Sequence, residues 1–479
     1  MITTSVRTTA SRVGAFAVAT QASARGFATP STTNHEALVT IGREHITQAT
    51  GRKWDVVMEE GQGLEVTLGD GRKMLDFTSG IGVTNLGHCH PKITAAAQSQ
   101  VAKIVHAQNA IGFNRPYIQL VERLLQRMPD PSLSKFFLWN SGSEAVEAAI
   151  KVTRKHTGKN NIIVLQGSYH GRTYGASALT KSKVIYSEGV GSVMPGVHTC
   201  PFPYWHSLGV SPDTPEDELV RMAVYQLELL LKQRSSPIDT AAIFIEPVLG
   251  EGGYIQTPAA FLRKVREICD KNNILMVVDE VQSGFGRTGK FFNIEYSGVR
   301  PDVLIFAKGL ANGFPLSGIA TTKEIMGSMP PGSLGGTYAG NAVSCAAAVA
   351  VQDVFDEQDI LGNVVARSKQ MFDALHKVAA APETSHLIAQ VRGSGLMIGL
   401  EFNAPNDPIC ELSLKSGKAI PTNIHNRVQE KCFEQGLMLL TTSIYSVIRF
   451  IPALIVTEEE MDKAIKIITQ AIQEVALEG

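Results

Sequence analysis

Several things are missing from this chain of 479 residues. It lacks an excess of either charge: the formal net charge is −1, which gives no reason to expect nucleic acid or an anionic membrane as partner. No apolar run approaches the length needed to span a bilayer. Cysteine is scarce, six residues placed singly with no C-x-x-C pair, so neither a disulfide framework nor a zinc site is suggested. The chain has no G-x-S-x-G elbow, no Walker lysine motif, no internal repeat and no low-complexity tract.

The first acidic residue is Glu36. Before it, residues 1–30 carry Arg7, Arg12 and Arg25 among many Ser, Thr and Ala, the composition of a mitochondrial transit peptide. The expectation is import into the matrix, with processing near Arg25-Gly26-Phe27. The alternative is a mildly basic tail.

The rest is what an ordinary globular chain contains, 44% apolar and 19% charged residues. Composition shifts divide it into an N-terminal segment over 31–90, a large domain over 91–345 and a C-terminal domain over 346–479. In the first, GLEVTLGDGRKMLDF reads as two strands joined at Asp70-Gly71. In the large domain FFLWN (136–140), IIVLQ (162–166), AAIFIEPV (241–248), ILMVVDE (274–280) and VLIFAK (303–308) are apolar on both faces, as parallel strands covered by helices must be. The helical period of 261–273 between two of them completes a βαβ pattern, so the expected fold class is α/β, a large, doubly wound, mostly parallel sheet. The C-terminal part reads as α+β, ending in a helix whose Thr457-x-x-Glu460 start is a capping-box pattern, and 403–421 reads as a loop.

Three ionisable residues, Glu246, Asp279 and Lys308, end apolar strands spaced 33 and 29 residues apart, about one βαβ unit each. Taken singly, each marks a return to solvent. In a parallel sheet they gather at the carboxyl edge, where ligands bind. A desolvated lysine there can offer a neutral amine to a carbonyl. A carboxylate such as Asp279 can keep a pyridine nitrogen protonated. Asn140-Ser141-Gly142-Ser143 opens a helix and suits a phosphate, although Ser141-x-x-Glu144 also fits an ordinary helix start. Gly284-Phe-Gly286-Arg-Thr-Gly289 matches G-x-G-x-x-G, but no helix pattern follows it, so it reads as a loop. His88-Cys89-His90 has no further ligand at useful spacing.

DFTSGIGVTNLGHCHP (76–91), NSGSEAVEAAIK (140–151), SYHGRTYGA (168–176), EPVLGEGG (246–253), VVDEVQSGFGRTGKFF (277–292), FAKGLANGFPLSG (306–318) and GGTYAGNAVSCAAA (335–348) stand in order along the chain. Together they resemble the class III aminotransferases, fold type I enzymes that use pyridoxal 5'-phosphate. The resemblance implies that Lys308 holds the cofactor covalently and shuttles the proton. Asp279 would pair with the pyridine nitrogen, Gln282 would bond the 3-oxygen, Tyr169 would stack on the ring, and Gly142 and Ser143 would take the phosphate. Thr337 would reach the phosphate of a neighbouring subunit, which implies a homodimer with shared sites. Within the family the chain is most similar to bacterial-type 4-aminobutyrate aminotransferases. That similarity implies a pocket lined by Ile81 and Val281, Arg172 on the distal carboxylate and Arg449 on the α-carboxylate of glutamate or 2-oxoglutarate. Glu246 would pair with Arg449 when 4-aminobutyrate is bound and swing away when glutamate arrives. The chain shares HGRT, the EPxxGEGG glutamate and the C-terminal arginine with acetylornithine aminotransferases, so that activity, or a racemase or decarboxylase reaction on the same cofactor, stays open.

Overall fold

A computed structural model describes residues 34–404 and 419–478. Residues 1–33, with the expected presequence, and most of the expected 403–421 loop lie outside the described residues. Residues 34–57 form a first unit with an α-helix, His35–His45, capped by the Asn34 side chain, and a 3-10 turn, Gln48–Thr50. Everything from Met58 onward forms a second unit.

The centre of the second unit is a seven-stranded sheet. In chain order its strands are β1 (Lys135–Trp139), β2 (Asn161–Leu165), β3 (Val197–Cys200), β4 (Thr240–Ile245), β5 (Leu275–Asp279), β6 (Val303–Phe306) and β7 (Ser317–Thr321). Across the sheet they run β1-β7-β6-β5-β4-β2-β3. All pairings are parallel except those of β7, which is antiparallel to both neighbours. Five of these strands match the apolar runs. The other two, β3 and β7, are short or carry Ser, Gly and Thr, and the apolar-run criterion passes over them.

Alternate residues feed two cores, as the period of two requires. Ile163, Ile243, Met276, Val278 and Leu304 pack on one face, and Ile162, Val164, Phe244, Val277 and Ile305 on the other. Helix α1 (Gly142–Thr157) covers the second face with Ala145, Val146, Ala149 and Val152. Ala and Val present short side chains there, so the helix lies close to the sheet and its N-terminus reaches the carboxyl edge.

The smaller part combines both ends of the unit. Strands Glu65–Leu68 and Lys73–Asp76 form the expected hairpin, and Leu437–Met438 pairs in parallel with the second of them. A second antiparallel sheet joins Ile388–Ser394, Met397–Phe402, Val447–Phe450 and Leu440–Thr442. Helix Glu458–Glu478 packs against it, and the capping box forms: Thr457 N–H donates to the Glu460 carboxylate at 2.9 Å, and Glu460 N–H donates to Thr457 Oγ1 at 3.2 Å.

Candidate active site

Strands β4, β5 and β6 lie side by side and end at the same edge. There they open a cavity of about 300 Å³ lined by Glu246, Asp279 and Lys308, together with Gly142, Ser143, Tyr169, Val281, Gln282 and Glu251. The three strand-ending residues therefore meet, and the helix start meets them.

Lys308 follows β6 with φ +46°, a strained conformation for a side chain with a Cβ. Its ammonium makes no ion pair among the described residues. Burial lowers its pKa from 10.5 to about 8, with the nearby Arg449 charge acting in the same direction. A good part of the amine is thus neutral and nucleophilic at mildly alkaline pH.

Asp279 is buried, and its Oδ2 lies 2.7 Å from His170 Nδ1 while its Oδ1 accepts from Val281 N–H at 3.0 Å. Burial opposes charge on His170, but the hydrogen bond and charge of Asp279 outweigh it and leave the imidazole pKa raised. The His170 ring behind the carboxylate fixes its orientation. Sequence reasoning passed over His170, although it stands inside the quoted SYHGRTYGA motif between two expected site residues.

The first N–H groups of α1 have no intrahelical partner, and Ser141 Oγ caps the turn by accepting from Glu144 N–H at 3.3 Å. Gly142 and Gly171 keep this corner open. A Cβ on Gly142 would sit 3.0 Å from Val281, and one on Gly171, at φ +120°, would collide with the Ser143 hydroxyl.

Glu246 does not do what its resemblance implied. Its two oxygens accept from Tyr169 N–H at 2.8 Å and Gly250 N–H at 3.0 Å, so it ties two loops together. Burial, reinforced by Asp279, pushes its pKa up to about 7. The partner of Arg449 is Glu251. Glu246 is held at the end of β4, whereas Glu251 sits beyond the two-residue strand Val248–Leu249, on a turn that reaches the Val447–Phe450 strand bearing Arg449. Burial disfavours charge on Glu251, but Arg449 overrides it and keeps its pKa low. Both acids belong to EPVLGEGG, and only the path of the turn separates their roles.

The remaining expected residues are distributed around this centre. Arg172 is exposed, with its Nε donating to Tyr169 OH at 3.0 Å, and it does not line the cavity. Ile81 lies on a short turn at φ +67° and is exposed, with Val83 of the same turn reaching the cavity wall. Thr337 is exposed and does not line the cavity of its own chain. The GFGRTG segment is a loop, as expected, and Arg287 within it is completely buried. His88 hydrogen-bonds Asp76 at 2.8 Å.

Solved structures that superpose on this chain include transaminases. One from the marine bacterium Virgibacillus superposes with a TM-score of 0.82 at 27% identity, covering 92% of this chain and 99% of that one. The fold is that of the fold type I pyridoxal-phosphate enzymes. Residues 46–472 match the family model for class-III aminotransferases, and the chain belongs to that family. Among curated relatives, a 5-aminovalerate aminotransferase of Pseudomonas aeruginosa is 37% identical, covering 92% of this chain and 99% of its own length. A 4-aminobutyrate aminotransferase of Escherichia coli is 36% identical, covering 90% and 96%.

Pyridoxal phosphate is the cofactor of this family, and the cavity fits it. The open helix N-terminus suits a dianionic phosphate. The Gln282 amide is buried with its Oε1 unpartnered and has a free end to offer a ring substituent. Lys308 and Asp279 supply an amine and a carboxylate in one cavity, and Tyr169 supplies an aromatic wall.

Proposed function

We propose that the chain transfers the amino group of an ω-amino acid, 4-aminobutyrate, to 2-oxoglutarate, giving succinate semialdehyde and L-glutamate. The observation that carries this reading is the Glu251–Arg449 pair at the cavity that Lys308 lines. A transaminase must bind two partners in turn at one site. 4-Aminobutyrate has one carboxylate and 2-oxoglutarate has two. With the first bound, Glu251 keeps Arg449 neutralised; with the second, Glu251 turns away and Arg449 takes the α-carboxylate bidentately. Arg172, which has no carboxylate partner among the described residues, would take the distal carboxylate of both.

When bound, pyridoxal phosphate supplies an aldehyde for the amino group and a ring that accepts the electrons of the broken C–H bond. The protein does the rest. Gly142 and Ser143 would hold the phosphate, Tyr169 would cover the ring, Gln282 would meet the 3-oxygen, and Asp279, braced by His170, would keep the pyridine nitrogen protonated. Lys308 would hold the cofactor and, once released, move the proton at its Nζ.

We further infer a homodimer in which Thr337 reaches the partner's phosphate. Ile111 at 89%, Phe113 at 85% and Tyr338 at 65% exposure support this, as apolar surface that a second copy would cover. The acid-free N-terminus supports a mitochondrial matrix address.

The test is a donor panel with 2-oxoglutarate as acceptor and glutamate formation as readout. 4-Aminobutyrate is expected to give the highest kcat/KM, with 5-aminovalerate, one carbon longer, as the nearest competitor. A preference for N-acetylornithine would assign the chain to arginine-type metabolism instead. Racemisation or decarboxylation without glutamate would remove it from transamination.

A further inference from the structure

Arg172 is held in an unusual way. Among the described residues it makes no ion pair, and its charge meets aromatic rings instead. Its guanidinium carbon lies 4.8 Å from the ring centroid of Tyr186 and 5.9 Å from that of Tyr169. The two rings meet edge to face, with centroids 5.3 Å apart and planes at 73°. Tyr186 ends the short turn Val184–Tyr186 and is half-buried. It interacts electrostatically with Glu251 and Arg449 as well as with Arg172. Burial, helped by the Glu251 carboxylate, pushes its phenol up to about 12, so it stays neutral over the working pH range.

We infer that Tyr186 is a positioning residue that fixes the Arg172 guanidinium between the Tyr169 side of the site and the Glu251–Arg449 pair, and so sets which carboxylate-bearing substrates the pocket accepts. This rests on the functional reading above. A mobile arginine would lose rotamer freedom on meeting each carboxylate. An arginine already lying on a ring face, with its Nε–H on the Tyr169 hydroxyl, has given up much of it, and the ring face leaves the terminal in-plane N–H groups to meet oxygen.

The experiment uses the holoenzyme, with cofactor absorbance as the check on loading, and five proteins: wild type, Y186L, Y186F, R172M and the Y186L/R172M double variant. Y186M replaces Y186L if the latter does not load. Glutarate, an unreactive dicarboxylate, is titrated by calorimetry, and KM and kcat are measured for 4-aminobutyrate. Y186L is expected to weaken glutarate and raise KM by about fivefold or more, leaving kcat much less affected. Y186F, which keeps the ring, recovers most of the loss. In the R172M background Y186L adds nothing further. Equal glutarate affinity in wild type and Y186L, or full additivity with R172M, overturns the inference while leaving the transaminase reading intact. Wild type that neither binds glutarate nor forms glutamate overturns both.

Discussion

Glu251 and Arg449 stand 198 residues apart and form a largely buried ion pair at the cavity that Lys308 lines. The pair joins a turn of the large sheet to a strand of the C-terminal sheet. It places a buried negative charge beside a buried positive one.

Glu251→Gln is expected to lower kcat/KM for the 4-aminobutyrate half-reaction about tenfold or more, and to affect the glutamate half-reaction less. The reason is that only the first leaves Arg449 without a carboxylate. Single-turnover measurements of each half-reaction decide the matter. Glu246→Gln, which disturbs the loops at Tyr169 and Gly250, is expected to depress both alike.

Lys308→Ala is expected to abolish the cofactor-lysine absorbance and reduce turnover by at least about 10²-fold. The lowered pKa of Lys308 also has a stability sign. Between about 8 and 10.5 the unfolded chain binds a proton that the folded apo-protein does not, so this group's contribution to stability rises with pH across that window. Lys308→Met removes the rise, which denaturant titrations of the apo-protein at pH 7 and pH 10 would detect. Cofactor uptake by the apo-protein is expected to accelerate with pH, with a midpoint near 8 rather than 10.5.

His170→Phe removes the ring nitrogen 2.7 Å from Asp279 and leaves that buried carboxylate without its side-chain hydrogen-bond partner. The expected result is a fall in kcat of about tenfold or more with KM nearly unchanged. It should come with a shift in the pH dependence of the bound cofactor's absorbance. An unchanged spectrum would deny His170 its bracing role.

Arg287 is completely buried, and its guanidinium donates to the carbonyls of Leu396 and Pro452 and to Asn85 Oδ1. It thus joins the large sheet's loop to both terminal segments. Burial lowers its pKa to about 10. Arg287→Met leaves those three acceptors unmet and is expected to cost about 3 kcal/mol or more, read from the denaturation midpoint at constant slope.

The βαβ pattern was legible because strands buried on both faces must be apolar throughout, and β2, β4, β5 and β6 are. Lys308, Asp279 and Glu246 were legible because they interrupt such strands at the same point of successive units. Strand β7 was not: Ser317, Gly318 and Thr321 carry no strong apolar signal, and its antiparallel direction depends on the chain turning back after Lys308. His170 was hidden for a related reason, since a histidine in a loop acquires meaning only when a distant carboxylate lies 2.7 Å away.

Residue order alone pointed to the fold class and to Lys308, Asp279 and the helix start as neighbours, because local periodicity marks the strands and parallel strands end at one edge; the resemblance of the motifs added their roles. The choice between Glu246 and Glu251 was decided by tertiary structure. Two acids five residues apart in one glycine-rich segment are equivalent until the backbone turns. Here it points one at backbone N–H groups and the other at a guanidinium on a strand from the far end of the chain. Which charge meets which depends on three-dimensional proximity, and electrostatic pairing at a few ångströms leaves no trace in linear spacing.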